Sequence, residues 1–228
     1  MEEENCINED EGLINNYEFI KPTHKEKIMG AICKFDGPVI GTGFYLKIPY
    51  KKKYIKALLT CNHVLKIEEN MSTIYYYNEN IKKDLDLTDR FFWQNGNNNL
   101  DYTCIQILEK DIKDFLEIDK NVLNENYSLE NGKRIQIYNY EKDQSVGNIQ
   151  LKMGQNDEEK NFIYYNCDTQ NGWSGGPILN CDNLLIGVHK GFNKEEKVNF
   201  AINIKCIIND IINNIIKTIE VDNNKKES

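Results

Sequence analysis

Short apolar runs separated by turn residues fill most of this 228-residue chain. From Lys27 to about Leu108 they read "IMGAICKF", "VIGTGFYLKI", "YIKALLTC", "STIYYY", "RFFW" and "YTCIQIL". A second series reads "KRIQIYNY", "GNIQLKM", "NFIYYNC", "GPILN", "LLIGVHKGF" and "VNFAINI". Runs rich in β-branched and aromatic residues, bounded by Gly-Pro, Asn-Gly or lysine clusters, are typical of antiparallel strands. The sequence therefore predicts an all-β protein built as barrels or sandwiches.

A polar stretch, "EKDIKDFLEIDKNVLNEN", separates the two series and lacks strand alternation, so it predicts a connection between two halves. The first half covers about residues 17–110 and the second about 128–203, with the linker at 111–127. We expect the residues at the two ends, 1–16 and 221–228, to be disordered tails.

One segment has a helical rather than a strand period. Isoleucine recurs at three- and four-residue spacing, with asparagine and aspartate between, at Ile204, Ile207, Ile208, Ile211, Ile212, Ile215 and Ile216. This pattern predicts an amphipathic helix over 204–219 whose apolar face packs on the β body.

Composition excludes several classes of partner. The net charge of -8, without a dominant basic block, argues against nucleic acid or an anionic membrane surface. An acidic N-terminus and the lack of long apolar runs indicate neither a secretory signal nor a membrane span, so we expect a cytoplasmic protein. Seven cysteines without a CxxC spacing indicate neither disulfides nor a zinc site. We expect no metal and no cofactor.

Three polar residues have the types needed for nucleophilic catalysis. Ser174 lies in the glycine-rich "CDTQNGWSGGPIL", His63 lies near the end of "ALLTCNHVL", and Asp101 opens the strand in "NNNLDYTCIQIL". A serine hydroxyl is a weak nucleophile at neutral pH and needs a base such as imidazole. The chain order His63, Asp101, Ser174 is the order used by chymotrypsin-like proteases.

These landmarks, with "GTGFYL" before His63 and "LLIGVHKGF" after Ser174, resemble the trypsin-like serine protease family. The likeness extends from about Lys27 to Ile216 and implies a peptidase domain over 17–220. That family has two six-stranded antiparallel β-barrels, a chymotrypsin-like fold, followed by a C-terminal α-helix. The resemblance implies that His63 accepts the proton of Ser174 while Asp101 holds the imidazole, and that the amides of Gly172 and Ser174 form the oxyanion hole.

Substrate preference has two interpretations. Thr169, five residues before Ser174, and His189 match the positions with which glutamyl endopeptidases grip a substrate carboxylate. Asp168, by contrast, stands where trypsins bind Lys or Arg, and a carboxylate there repels glutamate. We favour acidic substrates and include Lys190 and Gly191, which follow His189, among the substrate-binding residues.

Trp173 departs from the secreted trypsins, which carry an aspartate there to pair with an N-terminus freed by cleavage. Activation of that kind is therefore not expected. The bulky indole also leaves open a second hypothesis, a protease-like binding or scaffold module without activity. We expect a monomer whose partner is a peptide or protein substrate.

Overall fold

The structure is a computed structural model that describes residues 26–97, 99–108, 112, 114–124, 127–150 and 161–226. Side chains are described as far as Ile215. The predicted tail at 1–16 and part of the run "GNIQLKM" lie outside the described residues.

The first half of the chain forms a seven-stranded antiparallel sheet in the order β5-β4-β1-β2-β3-β7-β6. A short helix, α1 (Glu26–Gly30), precedes it. The strands are β1 (Ile32–Asp36), β2 (Ile40–Tyr50), β3 (Lys53–Thr60), β4 (Thr73–Asn78), β5 (Ile81–Asp86), β6 (Phe92–Asn95) and β7 (Tyr102–Gln106). The pairing of β3 with β7, Thr60 opposite Thr103, brings the segments that carry His63 and Asp101 to the same end of the sheet.

The second half forms a six-stranded antiparallel sheet in the order β10-β13-β12-β11-β8-β9. Its strands are β8 (Arg134–Tyr138), β9 (Gln144–Asn148), β10 (Phe162–Tyr165), β11 (Pro177–Asn180), β12 (Leu185–Asn193) and β13 (Val198–Asn203). Ser174 lies just before β11, and His189 lies within β12, the strand beside it.

The described part of the linker contacts both sheets. Leu116 forms a parallel bridge with Leu46 of β2, and Ile118 forms one with Leu185 of β12. Two main-chain hydrogen bonds of 2.8 Å, Leu116 N to Tyr45 O and Leu185 N to Glu117 O, reinforce these bridges. The connection therefore joins the two halves of the protein instead of crossing freely between them.

The apolar face of the C-terminal helix, α2 (Ile204–Lys226), packs against β12 and β13. Four of the predicted isoleucines, at 204, 207, 208 and 211, are at most 1% exposed. The helix is longer than the predicted 204–219 and includes residues 221–226, which the sequence had assigned to a tail. None of the helices in the described part of the chain has the length and apolarity required to span a bilayer.

The observed architecture, two curled antiparallel sheets followed by one helix, confirms the predicted fold class. Two local elements differ from the sequence analysis. The start of "IMGAICKF" is helical in α1, and the first sheet gains β5, whose sequence "IKKDLD" was not recognised as a strand. Strand β5 is exposed except at Leu85, so it lacks the apolar run that marks the other strands.

Candidate active site

His63 and Asp101 form a close side-chain pair in the first half of the protein. The ring Nδ1 of His63 lies 2.6 Å from Oδ2 of Asp101, and the main-chain amide of His63 donates to Oδ1 at 3.0 Å. Both carboxylate oxygens therefore hold the same histidine. The His63 side chain is 35% exposed and that of Asp101 only 8%, so the imidazole faces the solvent while its partner is enclosed.

The carboxylate of Asp101 is held in its charged form. Burial by itself raises the pKa of this group, but the hydrogen bond and positive charge of His63, the charge of Lys190 and the His63 amide together lower it. A charged Asp101 fixes the proton on Nδ1 of His63 and leaves Nε2 as the basic nitrogen.

The turn that carries Ser174 depends on two glycines with positive φ, 91° at Gly172 and 83° at Gly175. L-residues with side chains rarely adopt such angles. A Cβ at Gly175 would also collide with Thr42 O and the Thr60 hydroxyl. The Ser174 hydroxyl donates to the carbonyl of Lys190 at 3.2 Å.

Thr42 of the first sheet holds this turn at both ends. Its amide donates to Ser174 O at 2.8 Å, and its hydroxyl donates to Gly172 O at 2.8 Å. The same hydroxyl accepts the amide of Tyr140 at 3.1 Å. The role of Thr42 was not predicted, although its place between two glycines in "GTGFYL" is a signal of close packing.

The carbonyl of His189 brings the histidine and serine segments together. It accepts the amide of Gly175 at 2.8 Å and the thiol of Cys61 at 3.2 Å. Cys61 is two residues before His63, and Gly175 directly follows Ser174. The structure therefore places the His63 and Ser174 segments side by side, on opposite halves of the protein.

Trp173 lies in the core. Its side chain is 2% exposed, its amide donates to Gln170 O at 3.2 Å, and its carbonyl accepts the Gly176 amide at 2.8 Å. The indole is therefore not exposed beside the serine turn, where it would be accessible to solvent. Trp173 thus supports the serine turn from inside the second half of the protein.

The residues proposed to recognise a substrate carboxylate are enclosed in the second sheet. Thr169 is 1% exposed, and its hydroxyl donates to Oδ1 of Asn199 at 2.9 Å. His189 is fully buried, and its Nδ1 is in hydrogen-bond contact with the Tyr165 hydroxyl. Tyr165 and Asn199 face each other across β10 and β13. Thr169 and His189 are therefore linked to the same cross-strand pair, which the sequence analysis missed.

The other predicted pocket residues are also buried in the second half of the protein. Asp168 is 1% exposed, and its amide donates to the Ser145 hydroxyl at 3.0 Å. Gly191 is buried next to an irregularity in the pairing of β12 with β13. At that irregularity Lys190 is 7% exposed, with Nζ 5.8 Å from the Phe162 ring centre and 5.6 Å from that of Phe200. Such cation–π contacts help to hold a buried ammonium group.

One family model, described as a trypsin-like peptidase domain, matches residues 41–188. The chain belongs to the trypsin-like peptidase domain family. The matched segment contains the His63–Asp101 pair and the Ser174 turn. No curated protein matches the chain.

Solved structures share the fold of this peptidase domain at low sequence identity. A Glu endopeptidase in complex with MPD is 16% identical, with a TM-score of 0.63 over 90% of this chain and 99% of that one. The serine endoprotease from Yersinia pestis is 17% identical, with a TM-score of 0.57 over 85% and 65%. A mutant, inactive form of Rv3671c from M. tuberculosis H37Rv is 13% identical, with a TM-score of 0.54 over 82% and 91%.

One group of three side chains with potential metal-ligand atoms occurs in the described part of this peptidase domain. The donor atoms of Cys61, His63 and Asp101 lie within 4.8 Å of one another. The 2.6 Å contact between His63 and Asp101 is a hydrogen bond and leaves no space between them for an ion. The arrangement therefore fits an acid–base pair better than a metal site.

Proposed function

We propose that this protein is a serine endopeptidase that acts through His63, Asp101 and Ser174. The observation that carries the proposal is the two-point contact of Asp101 with His63, beside a glycine turn that presents Ser174 from the other half of the protein. The family membership supports it, since that family is one of peptidases.

In the proposed reaction, Ser174 Oγ attacks the scissile carbonyl carbon while Nε2 of His63 takes the hydroxyl proton. Asp101 stabilises the imidazolium. Collapse of the tetrahedral intermediate breaks the C–N bond, and His63 gives its proton to the leaving amine. Water, deprotonated by His63, then attacks the acyl ester and releases Ser174 and the new carboxylate.

The amides of Gly172 and Ser174 would stabilise the oxyanion. Thr42 supports this role because it holds both ends of the turn through its amide and its hydroxyl. A turn fixed before the substrate arrives does not have to reorganise during the reaction, and losing one oxyanion donor costs about 3 kcal/mol of barrier.

We further propose that the substrate residue before the scissile bond is acidic. His189 and Thr169 are hydrogen-bonded to Tyr165 and Asn199, which pair directly across β10 and β13 and so place both on one face of the second sheet. With the Tyr165 hydroxyl donating to Nδ1 of His189, the proton of the imidazole would be on Nε2, which could then donate to a substrate carboxylate.

The buried carboxylate of Asp168 favours a second specificity, for Lys or Arg. Both proposals can be tested with one peptide library, cleaved by the wild type and by His189→Ala, with Ser174→Ala as the blank. We expect wild-type cleavage after Glu or Asp and a loss of about 10- to 100-fold in kcat/KM for those peptides in His189→Ala. Cleavage after Lys or Arg would overturn the acidic proposal and favour Asp168.

A further inference from the structure

The C-terminal helix contacts the strand that begins next to Asp101. The hydroxyl of Tyr102, the first residue of β7, donates to Oδ2 of Asp210 on α2 at 2.7 Å. The side-chain amide of Asn95, which faces Tyr102 across β6 and β7, donates to the same oxygen at 3.4 Å. One carboxylate of the helix thus holds two neighbouring strands of the first sheet.

Asp101 directly precedes Tyr102, the first residue of β7, and neighbouring side chains along an extended chain point to opposite sides. Asp101 contacts His63, while Tyr102 is fully buried and contacts the helix. Movement of the Tyr102 ring would move the main chain that places the Asp101 carboxylate.

The Tyr102 hydroxyl is a persistent donor. Burial, followed by the hydrogen bond to Asp210 and its negative charge, raises the pKa of Tyr102 well above its ordinary value. The phenol therefore keeps its proton at every pH at which such an enzyme would act and remains a hydrogen-bond donor.

Helix α2 itself belongs to the second half of the protein. It packs on β12 and β13. Strand β12 contains Lys190, whose carbonyl accepts the Ser174 hydroxyl. At its first turn, Nζ of Lys205 donates to the carbonyl of Asn124 in the linker at 2.8 Å. Asp210 extends from this firmly attached helix to the opposite sheet.

We infer that Asp210 and Tyr102 are positioning residues, which hold the His63–Asp101 pair in register with the Ser174 turn through the C-terminal helix. The consequence for catalysis rests on the proposed peptidase function. Because a displacement of about 1 Å can cost about 100-fold in rate, a fixed distance between the two halves is valuable to such a site.

The test compares Tyr102→Phe, Asp210→Ala and Asp210→Asn in the full chain. Asp210→Asn keeps an acceptor oxygen for the Tyr102 hydroxyl, so its kcat should be closer to that of the wild type than the kcat of Asp210→Ala. Tyr138→Phe is the matched control, since its buried hydroxyl bonds Gln136 at 2.9 Å within the second sheet. Three quantities are measured: kcat and KM on a peptide substrate, the melting temperature, and the low-field proton resonance of the hydrogen bond between His63 and Asp101.

We expect Tyr102→Phe and Asp210→Ala to lower kcat about tenfold or more with little change in KM, and to shift or broaden the low-field resonance. Tyr138→Phe should lower the melting temperature alone. An unchanged resonance in Tyr102→Phe, with stability lowered as in Tyr138→Phe, would overturn the inference. The resonance can be recorded without any cleavage. If the wild type cleaves no peptide, the peptidase proposal is wrong, but the resonance of the variants still shows whether Asp210 is coupled to the His63–Asp101 pair.

Discussion

The His63–Asp101 pair and the buried pair Thr169 and His189 are both polar sites, but they differ in their exposure to solvent. The His63 side chain is 35% exposed, whereas His189 is fully buried and Thr169 is 1% exposed. In the proposed function, His63 is therefore accessible to any bound peptide, whereas His189 is reached only by a side chain that enters the second half of the protein. Changes at the first site should affect all substrates, and changes at the second should affect only some.

The largest expected effect comes from removing the groups that move the proton. His63→Ala and Ser174→Ala should each lower kcat by about 10⁵- to 10⁶-fold on acidic and neutral peptides alike, because the two residues act as one unit. Steady-state kinetics on matched peptides measures this loss. The double variant should be no worse than either single one, and a further large loss in it would contradict a shared role.

A smaller effect is expected at Thr42, where the two halves meet. Thr42→Val keeps the shape of the side chain but leaves the Gly172 carbonyl and the Tyr140 amide without the hydroxyl that joins them. We expect kcat to fall about 10- to 100-fold, equally for all substrates. Thr42→Ser retains the hydroxyl and should stay near the wild type; equal losses in both variants would show that the hydroxyl is not what matters.

Tyr165→Phe tests whether the buried residues Thr169 and His189 affect only some substrates, in contrast to the exposed His63–Asp101 pair. It removes the hydroxyl partner of His189 Nδ1 without changing the ring, so orientation of the imidazole becomes looser. We expect kcat/KM for peptides with Glu before the scissile bond to fall about tenfold, with neutral peptides unaffected. Parallel assays of the two peptides give the ratio, and an equal loss on both would remove Tyr165 from substrate selection.

The sequence was sufficient for the fold class, most of the strands and the C-terminal helix, because strand runs and the isoleucine period are local signals. The grouping of His63, Asp101 and Ser174 was predicted from their chain order and the resemblance to the trypsin-like family. It could not show the roles of Thr42, Tyr165 or Asp210. Each acts on a residue distant along the chain, from Thr42 to Gly172 or from Asp210 to Tyr102, and such pairs depend on strand register and helix placement. Strand β5 was missed for a different reason, since its exposed charged residues hide the alternation.

Acid stability should reveal the charge on Asp101. The pKa of this carboxyl is lowered in the folded protein, so the ionised group stabilises the fold above its unfolded pKa of about 3.9, and that stability is lost as the pH falls through the folded pKa. We expect Asp101→Asn to be less stable than the wild type by about 1 to 2 kcal/mol near neutral pH. Urea unfolding over a pH series should show this difference vanish in acid, and a constant difference would contradict it.

The central claim is that His63 activates Ser174, and covalent labelling tests it most directly. An organophosphonate probe, followed by peptide mass mapping, should place a single adduct on Ser174 of the intact protein at neutral pH. Ser174→Ala should take up no probe and His63→Ala very little, although Ser145, a fully buried serine of the same half, is present in both. An unlabelled wild type, or equal labelling of wild type and His63→Ala, would contradict the account.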